Sequence, residues 1–244
     1  MKITVIGAGA IGGNLAARLS TAGHDVQVAD ARGPGAVAAE VLEAGARAVG
    51  LDDSVQGRDV IILAVPFSVQ PKLAALLATA PSEAIVVDTS NYYPGMLGPV
   101  EAVDNGAVES VWSQEQLGRP VVKAWNAALA ETQRERALPA GSPDRIAIPV
   151  AADSEEQRRT VMTLVDATGF DAFDAGVLAD SWRQQPGTPA YCTELGLDKL
   201  GEALAAADKT TSATTRDRIM AHLVTLESEP TREEKVANNR AATR

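Results

Sequence analysis

Residues 2–12 read Lys2-Ile3-Thr4-Val5-Ile6-Gly7-Ala8-Gly9-Ala10-Ile11-Gly12, and this stretch decides the fold. Its first five residues form a short run rich in β-branched side chains, which predicts a buried strand. Apolar residues then recur at near-helical spacing and end at a glycine, where a left-handed helix terminus is expected: Ile11, Leu15, Leu19, Ala22 and Gly23. The three glycines of the stretch therefore stand where a strand turns into a helix.

Each glycine of the Gly7-x-Gly9-x-x-Gly12 pattern has its own expected role in binding a dinucleotide. Gly7 permits the tight turn, Gly9 lets a pyrophosphate approach the backbone, and Gly12 lets the helix pack close to the strand. Backbone N–H groups at the helix start, including those of Ala10 and Ile11, would hold the phosphates together with the helix dipole. The alternative is a glycine turn in an α/β protein that binds no nucleotide, and the complete strand–turn–helix context disfavours it.

A second strand, Asp25–Ala29, leads to Asp30, eighteen residues after Gly12. An acid at this place binds the ribose hydroxyls of NAD, but it would repel the 2′-phosphate of NADP. Arg32 follows two residues later, and a guanidinium can bind that phosphate and stack on adenine. The two residues therefore favour different cofactors, NAD(H) and NADP(H).

Apolar runs alternate with helical patterns along the next part of the chain. Further strands are expected at Arg47–Val49, Asp59–Val65, Ala84–Asp88, Pro120–Trp125, Arg145–Val150 and Phe170–Asp174. The alternation predicts an α/β fold with a doubly wound, mostly parallel Rossmann sheet of about eight strands. Pro149 indicates that the seventh strand lies at an edge or ends there. We assign residues 1–176 to this dinucleotide-binding domain.

Residues 177–244 have a different texture and predict a small helical cap that is also a possible dimerisation region. An irregular polar and aromatic segment from Asp180 to Cys192 either closes over a substrate or ties the cap to the sheet. Thr231-Arg232-Glu233-Glu234 is a capping box for a polar terminal helix, which is either solvated or folded onto a partner subunit. So short a region does not close a cleft comfortably alone, so a homodimer is expected.

Composition restricts the partners of the chain. A net charge of -10 without any basic block makes nucleic acid and anionic membrane poor partners, and no segment approaches the ~20 apolar residues of a membrane span. The only cysteine is Cys192, so no internal disulfide can form, and a cytoplasmic location is expected. One cysteine and two histidines leave little material for a metal site, and none is expected. The expected partner is a small-molecule or cofactor substrate.

Polar and aromatic side chains follow the ends of the later strands, where a doubly wound sheet binds its ligands. Lys123 is the candidate proton donor for hydride transfer to a carbonyl or imine, unless its ammonium group pairs with Asp88. Asn126 is the second candidate catalytic residue, or else it holds the nicotinamide amide. The aromatic residues of this edge either stack on a nicotinamide and a second flat ring or pack loops onto the sheet: Phe67, Tyr92, Tyr93 and Trp125.

The chain resembles the NADP-dependent oxidoreductases typified by the NADPH-dependent reductase of the deazaflavin coenzyme F420. The resemblance rests on the stretches Gly7–Gly12, Arg32–Pro34, Leu63–Pro66, Val121–Asn126 and Phe170–Gly176. It implies that the glycine turn holds NADPH, with Arg32 against the 2′-phosphate, and it therefore favours NADP(H) over NAD(H). It also implies a nicotinamide lying against two strand ends, Ala64-Val65-Pro66 and Ala124-Trp125-Asn126.

The same resemblance implies an NAD(P)H-dependent oxidoreductase that exchanges hydride between its nicotinamide cofactor and a second acceptor. A flavin or the deazaflavin coenzyme F420 is one implied acceptor, and transfer between two hydride carriers requires little acid–base machinery. Reduction of a small carbonyl or imine compound is an alternative activity. A dinucleotide-binding sensor without turnover is the alternative class of protein.

Overall fold

The computed structural model describes residues 1–226 and 228–243. A parallel sheet of six strands forms its centre, in the order β3-β2-β1-β4-β5-β6. These strands are Lys2–Ile6 (β1), Asp25–Ala29 (β2), Arg47–Val49 (β3), Val60–Leu63 (β4), Ile85–Asp88 (β5) and Val121–Lys123 (β6). The strand order reverses between β1 and β4, which confirms the predicted doubly wound Rossmann sheet and places a ligand crevice at their carboxyl ends.

The central strands are buried on both faces, as their nearly continuous apolar sequences predict. All four residues of β4 are buried. Val60 and Ile62 pack into the core on one face, whereas Ile61 and Leu63 pack into the core on the other. The alternation follows from the two-residue period of a strand, so β4 joins both helical layers.

Helices cover both faces of the sheet and build the C-terminal region. Within the described residues, the α-helices are Ala10–Thr21 (α1), Ala39–Glu43 (α2), Ala74–Leu77 (α3), Pro94–Leu97 (α4), Glu101–Asp104 (α5), Glu109–Leu117 (α6), Ala130–Glu135 (α7), Glu155–Ala167 (α8), Leu197–Ala205 (α9), Ser212–Val224 (α10) and Arg232–Ala242 (α11). Short 3₁₀ segments occupy Pro34–Ala36, Phe67–Leu73 and Leu178–Gln184. A 3₁₀ segment precedes the short helix α3, and Pro71 within that segment has no N–H group to donate to a regular helix.

The expectation of about eight strands in one sheet needs correction. Ala147–Val150 (β7) and Asp171–Asp174 (β8) form a separate parallel pair, which meets the main sheet only at an antiparallel bridge between Lys123 and Ala151. The register of this bridge places position 149 opposite Trp125, which lies beyond the end of β6 at Lys123, and Pro149 has no N–H to donate there. The two sheets therefore meet at a single bridge at the end of β6.

The C-terminal region folds back onto its own chain. Leu200 and Leu204 of α9 pack with Ala147 of β7. The predicted capping box at Thr231 is present and begins α11, whose Lys235 Nζ lies 2.7 Å from Glu131 Oε1 in the first turn of α7. The terminal helix is thus neither wholly solvated nor free to leave the chain. No helix among the described residues is long and apolar enough to cross a membrane.

Close packing of α1 against the turn after β1 depends on a glycine. A Cβ at Gly12 would stand 1.8 Å from the carbonyl oxygen of Gly7 and 3.0 Å from Cβ of Ala64. The next residue, Gly13, has room: its Cβ would meet Val41 Cγ2 at 3.4 Å. A methyl group added at Gly12 should therefore destabilise the fold, whereas one added at the adjacent Gly13 should not.

We expect Gly12→Ala to lower the free energy of unfolding by about 1–3 kcal/mol, because the helix must move away from the turn. The matched control is Gly13→Ala, which should raise it by about 0.5–1 kcal/mol, the usual gain from alanine inside a helix. Urea denaturation of both variants measures the difference. Equal stability of the two variants would contradict the close approach at Gly12.

Candidate active site

The glycine turn has the geometry of a dinucleotide fingerprint. Gly7 has φ +105°, and a Cβ there would stand 2.2 Å from the carbonyl oxygen of Ala64, so no other residue fits. Gly9 differs, because a Cβ at Gly9 would meet nothing within 4 Å. The missing side chain of Gly9 therefore leaves open space in front of the helix, where a phosphate can approach.

The first turn of α1 keeps its backbone donors free for an anion. Gly9 is the N-cap residue, no side chain caps the helix, and no acidic residue lies in its first turn. The N–H groups of Ala10 and Ile11 belong to this turn, where N–H groups have no partner within the helix. Unpaired donors and the positive end of the helix dipole together form an anion site.

Asp30, at the end of β2, connects the glycine turn to Arg32. Its Oδ2 accepts the N–H of Ala8 at 3.0 Å, and its Oδ1 accepts the backbone N–H of Arg32 at 3.0 Å and its Nε at 2.8 Å. The Arg32 guanidinium, helped by both backbone N–H groups, holds the pKa of Asp30 well below its usual range. The side chain of Arg32 is 70% exposed, so the guanidinium stays open to a ligand on its outer side.

A cavity of about 310 Å³ opens in front of the glycine turn. Seven of the residues predicted to bind the cofactor line it: Gly7, Gly9, Asp30, Arg32, Ala64, Val65 and Pro66. Sequence reasoning missed Leu51, Val69 and Leu73, which form its apolar wall. In the sequence, these three residues resemble ordinary core residues. Their role is visible only in the structure, where they lie beside the glycine turn and form a surface that suits an apolar ring.

The end of β6 presents backbone rather than side chains to this edge. Trp125 is 1% exposed, has φ +58°, and donates its indole N–H to Thr168 Oγ1 at 3.2 Å. Its ring packs in the core with α8, away from any stacking position. Ala124 is fully buried. Neither residue lines the cavity at the glycine turn.

Lys123 forms a buried ion pair with Asp88. Its Nζ donates to Asp88 Oδ2 at 2.8 Å and to the carbonyl oxygen of Ser90 at 2.5 Å, and both side chains of the pair are 0% exposed. The other carboxylate oxygen of Asp88 accepts hydrogen bonds from Gln70 and Ser90. Pairing with Asp88 was the alternative to a catalytic role for Lys123 in the sequence analysis. Both carboxylate oxygens of Asp88 accept hydrogen bonds.

Glu109, in the first turn of α6, is a buried acid that sequence reasoning missed. It is 3% exposed, and its Oε2 accepts the backbone N–H of Tyr92 at 3.1 Å. Burial raises the pKa of Glu109 to about 7, against the opposing effects of the Lys123 charge and the Tyr92 N–H. An acid at a helix start is so common in sequences that only its burial distinguishes this one.

Asn126 joins the strand end to the C-terminal segment. Its Nδ2 donates to Asn91 Oδ1 at 3.1 Å and to the carbonyl oxygen of Gln184 at 2.9 Å, while its Oδ1 accepts Gln184 Nε2 at 2.8 Å. With 2% of its surface exposed, the carboxamide is fully engaged within the protein. It holds the segment after β8 onto the sheet edge.

The aromatic residues of this edge pack loops together. The ring of Phe67 lies 4.5 Å from Trp112 and 5.4 Å from Tyr92, centroid to centroid, and all three belong to one buried cluster. The hydroxyl oxygens of Tyr93 and Tyr191 are 2.7 Å apart. Cys192 is buried beside them, and burial raises the pKa of its thiol to about 12, as suits a structural rather than a nucleophilic cysteine.

Comparison with known proteins agrees with this geometry. The sequence profile of the family described as NADP oxidoreductase, coenzyme F420-dependent, matches residues 2–92, the part that holds the glycine turn, Asp30, Arg32 and Ala64. The chain belongs to this family. It is an NAD(P)-dependent oxidoreductase on a Rossmann fold.

Individual relatives extend the similarity beyond the profile. The protein YjhV of Escherichia coli (strain K12) is 38% identical over 104 residues, which span 43% of this chain and 76% of YjhV. The crystal structure of hypothetical protein SMa0349 from Sinorhizobium meliloti is similar over 80% of this chain and 95% of that one, with 30% identity and a TM-score of 0.68. A candidate F420-dependent NADP reductase from Arthrobacter sp. FB24 shares the fold, with 24% identity, 75% and 87% coverage and a TM-score of 0.55.

We expect Gly9→Val to lower dinucleotide affinity by at least about 100-fold, because a branched side chain would fill the space open to the pyrophosphate. The fold should survive, since a Cβ at Gly9 meets nothing and its φ of -73° suits any residue. Calorimetric titration with NADPH and NADH measures the loss. A matched control is Gly95→Val, also in open space but remote from the turn. Unchanged affinity in folded Gly9→Val would exclude the glycine turn as the binding site.

Proposed function

We propose that this oxidoreductase exchanges hydride between NAD(P)H and a second hydride carrier, a flavin or a deazaflavin of the F420 type. One observation carries the proposal: the polar side chains at the carboxyl ends of β5 and β6 are already bonded to one another. Lys123 is paired with Asp88, and Asn126 is bonded to Asn91 and Gln184. A carbonyl acceptor needs a proton donor in the site, whereas a second hydride carrier needs little acid–base help.

The residues present fit the nicotinamide cofactor. The open space at Gly9 and the unpaired donors of the first turn of α1 suit a pyrophosphate, with Ala10, Ile11 and Gly12 contributing backbone N–H groups. Asp30 and Arg32 would meet the adenosine ribose, and Ala64, Val65 and Pro66 would support the path towards the nicotinamide. Ala124 and Trp125 contribute backbone to the far end of that path. When bound, the cofactor supplies hydride; the chain binds, orients and shields it.

Reduction of a small carbonyl or imine compound is the second candidate, and Glu109 favours it. Burial raises the pKa of its carboxyl group to about 7 against the opposing charge of Lys123, so this carboxyl group can hold one proton near neutral pH. For this activity Lys123 would have to release Asp88 and reach a substrate. That rearrangement would leave a buried carboxylate without its cation, which is costly.

Loss of NADPH absorbance in the presence of candidate acceptors tests the proposal. We expect oxidation with a flavin or deazaflavin and little with a panel of small aldehydes, ketones and cyclic imines. Binding of NADPH without oxidation by any acceptor would favour a dinucleotide sensor. Lys123→Met combined with Asp88→Asn removes both buried charges together, which avoids an unpaired ion. The folded double variant should keep flavin or deazaflavin reduction, and its loss would make Lys123 catalytic.

Cofactor preference rests on the Asp30–Arg32 pair, and we propose that NADPH is preferred. Arg32→Ala should weaken the binding of NADPH by about 1–3 kcal/mol, the contribution of a charge-assisted contact, and leave the binding of NADH nearly unchanged. Asp30→Asn should strengthen the binding of NADPH, because it removes a charge that repels the 2′-phosphate. The same substitution should weaken the binding of NADH, because the lost carboxylate binds the ribose hydroxyls. Titration of both cofactors against both variants measures this.

A matched control for Arg32→Ala is Arg47→Ala. Arg47 is similarly exposed and pairs with Asp25 at 2.7 Å, at the other end of β2. Its removal should leave both cofactors bound as before. If Arg32→Ala weakens NADPH and NADH equally, Arg32 does not recognise the phosphate and the protein is NAD-dependent.

We further propose that the cap, residues 177–244, contributes to a homodimer. Val177 and Leu197 are large apolar residues of this region with 46% and 47% of their surface exposed, and burial of such side chains would favour association. Sedimentation velocity at micromolar concentration should show a dimer. A monomer at that concentration would contradict the proposal.

A further inference from the structure

A groove on the cap has no role in the proposed hydride exchange. The α10 groove lies between the loop that begins α4 and one face of α10, and its volume is about 570 Å³. Its walls are Tyr93, Pro94, Met96, Met220, Ala221 and Val224. Volumes of about 300–1,000 Å³ with mainly apolar walls are typical of small-molecule sites.

A second, smaller space adjoins the groove and contains an arginine. The Arg216 cavity has a volume of about 60 Å³ and shares Tyr93 and Met220 with the α10 groove. About 10–15 Å³ already admits a water, so the cavity can hold a small anionic group. The Arg216 cavity thus forms a polar compartment beside the apolar groove.

Arg216 is 8% exposed, and its guanidinium is only partly used by the protein. Its Nε donates to Asp217 Oδ1 at 2.8 Å, and its charge lies 5.4 Å from the centre of the Tyr92 ring. Neither terminal nitrogen donates a hydrogen bond to any other described residue, over 1–226 and 228–243. Neither terminal nitrogen is fully enclosed by the protein, so both can donate to a small anion that enters the cavity.

The two tyrosine hydroxyls at the cavity are also donors. The hydroxyl oxygens of Tyr93 and Tyr191 are 2.7 Å apart and share one hydrogen, so the second hydroxyl hydrogen is available to a ligand or to the Cys192 thiol beside Tyr191. Burial raises the pKa of both phenols, so both remain neutral donors at physiological pH. Lys235 adds a cation already paired with Glu131. Among the residues that the structure describes, the only carboxylate lining either space is that of Asp217, whose side chain is 60% exposed at the outer rim.

From these contacts we infer that the α10 groove and the Arg216 cavity together bind an apolar small molecule that ends in a carboxylate or similar small anion. The apolar portion lies along Met96, Met220 and Val224, and the anion accepts hydrogen bonds from the terminal nitrogens of Arg216. This site needs neither the nicotinamide cofactor nor the proposed acceptor. A second copy of the chain covering the groove is the competing occupant.

Octanoate and octanamide are matched probes, because they share one apolar chain and differ in the charge of the head group. We expect the protein to bind octanoate about tenfold or more tightly than octanamide in calorimetric titrations, as a charge-assisted contact requires. Arg216→Gln should abolish this difference. Arg218→Gln is the matched control, since Arg218 lies on the same helix, is exposed and donates instead to Ala242; it should preserve the difference.

Ala221→Trp tests the groove without changing the arginine. The indole ring should fill part of the groove and so weaken the binding of both probes. Equal affinity for the two probes, or no binding of either by the folded protein, would overturn the inference. Sedimentation that shows a dimer with the probes excluded would assign the groove to a second copy and also overturn it. NADPH titrated into the same samples separates the two proposals: NADPH binding without octanoate binding refutes only this site, and the reverse refutes only the cofactor site.

Discussion

The structure depends on one close approach, that of α1 to the turn between β1 and the helix. The carbonyl oxygen of Gly7 and the methyl group of Ala64 leave room only for hydrogen at Gly12. Because the helix lies so near, its first turn projects directly over the crevice at the reversal of strand order. Its free N–H groups, the open space at Gly9 and the acid at the end of β2 then face one cavity. The anion site therefore arises from packing, before any charged side chain contributes.

The two halves of the sheet edge are built differently. In front of β1, β2 and β4 the edge is open, and its walls are apolar apart from Asp30 and Arg32. Beyond β5 and β6 it is closed by the Lys123–Asp88 ion pair and by the carboxamide bonds of Asn126. A buried ion pair of this kind contributes little net stability, but breaking it exposes an uncompensated charge to a low-dielectric interior. The closed half therefore suits a reaction in which these side chains need not donate or accept a proton.

Local sequence patterns predicted the fold and the glycine turn because both are encoded in short stretches. Each sheet strand is a compact apolar run, and the role of Gly7 or Gly12 follows from the spacing alone. The separation of β7 and β8 from the main sheet was not predictable in detail, since it depends on where β6 ends relative to its neighbour β7. Glu109 and Leu51 escaped notice for a similar reason: their sequence positions are ordinary, and only the burial of Glu109 and the place of Leu51 in the cavity wall distinguish them. The orientation of Trp125 likewise depends on a positive φ that no pattern reveals.

The carboxylate of Asp30 has a consequence for how this enzyme can change over evolution. One of its oxygens accepts the backbone N–H of Ala8, and the other accepts Arg32. The phosphate-binding loop and the residue that faces the ribose are therefore both positioned by one carboxylate. A substitution that alters selectivity between the two nicotinamide cofactors will also loosen the loop that both require. Mutations at positions 30 and 32 should therefore be epistatic, and lineages that switch cofactor should acquire a compensating change near residue 8.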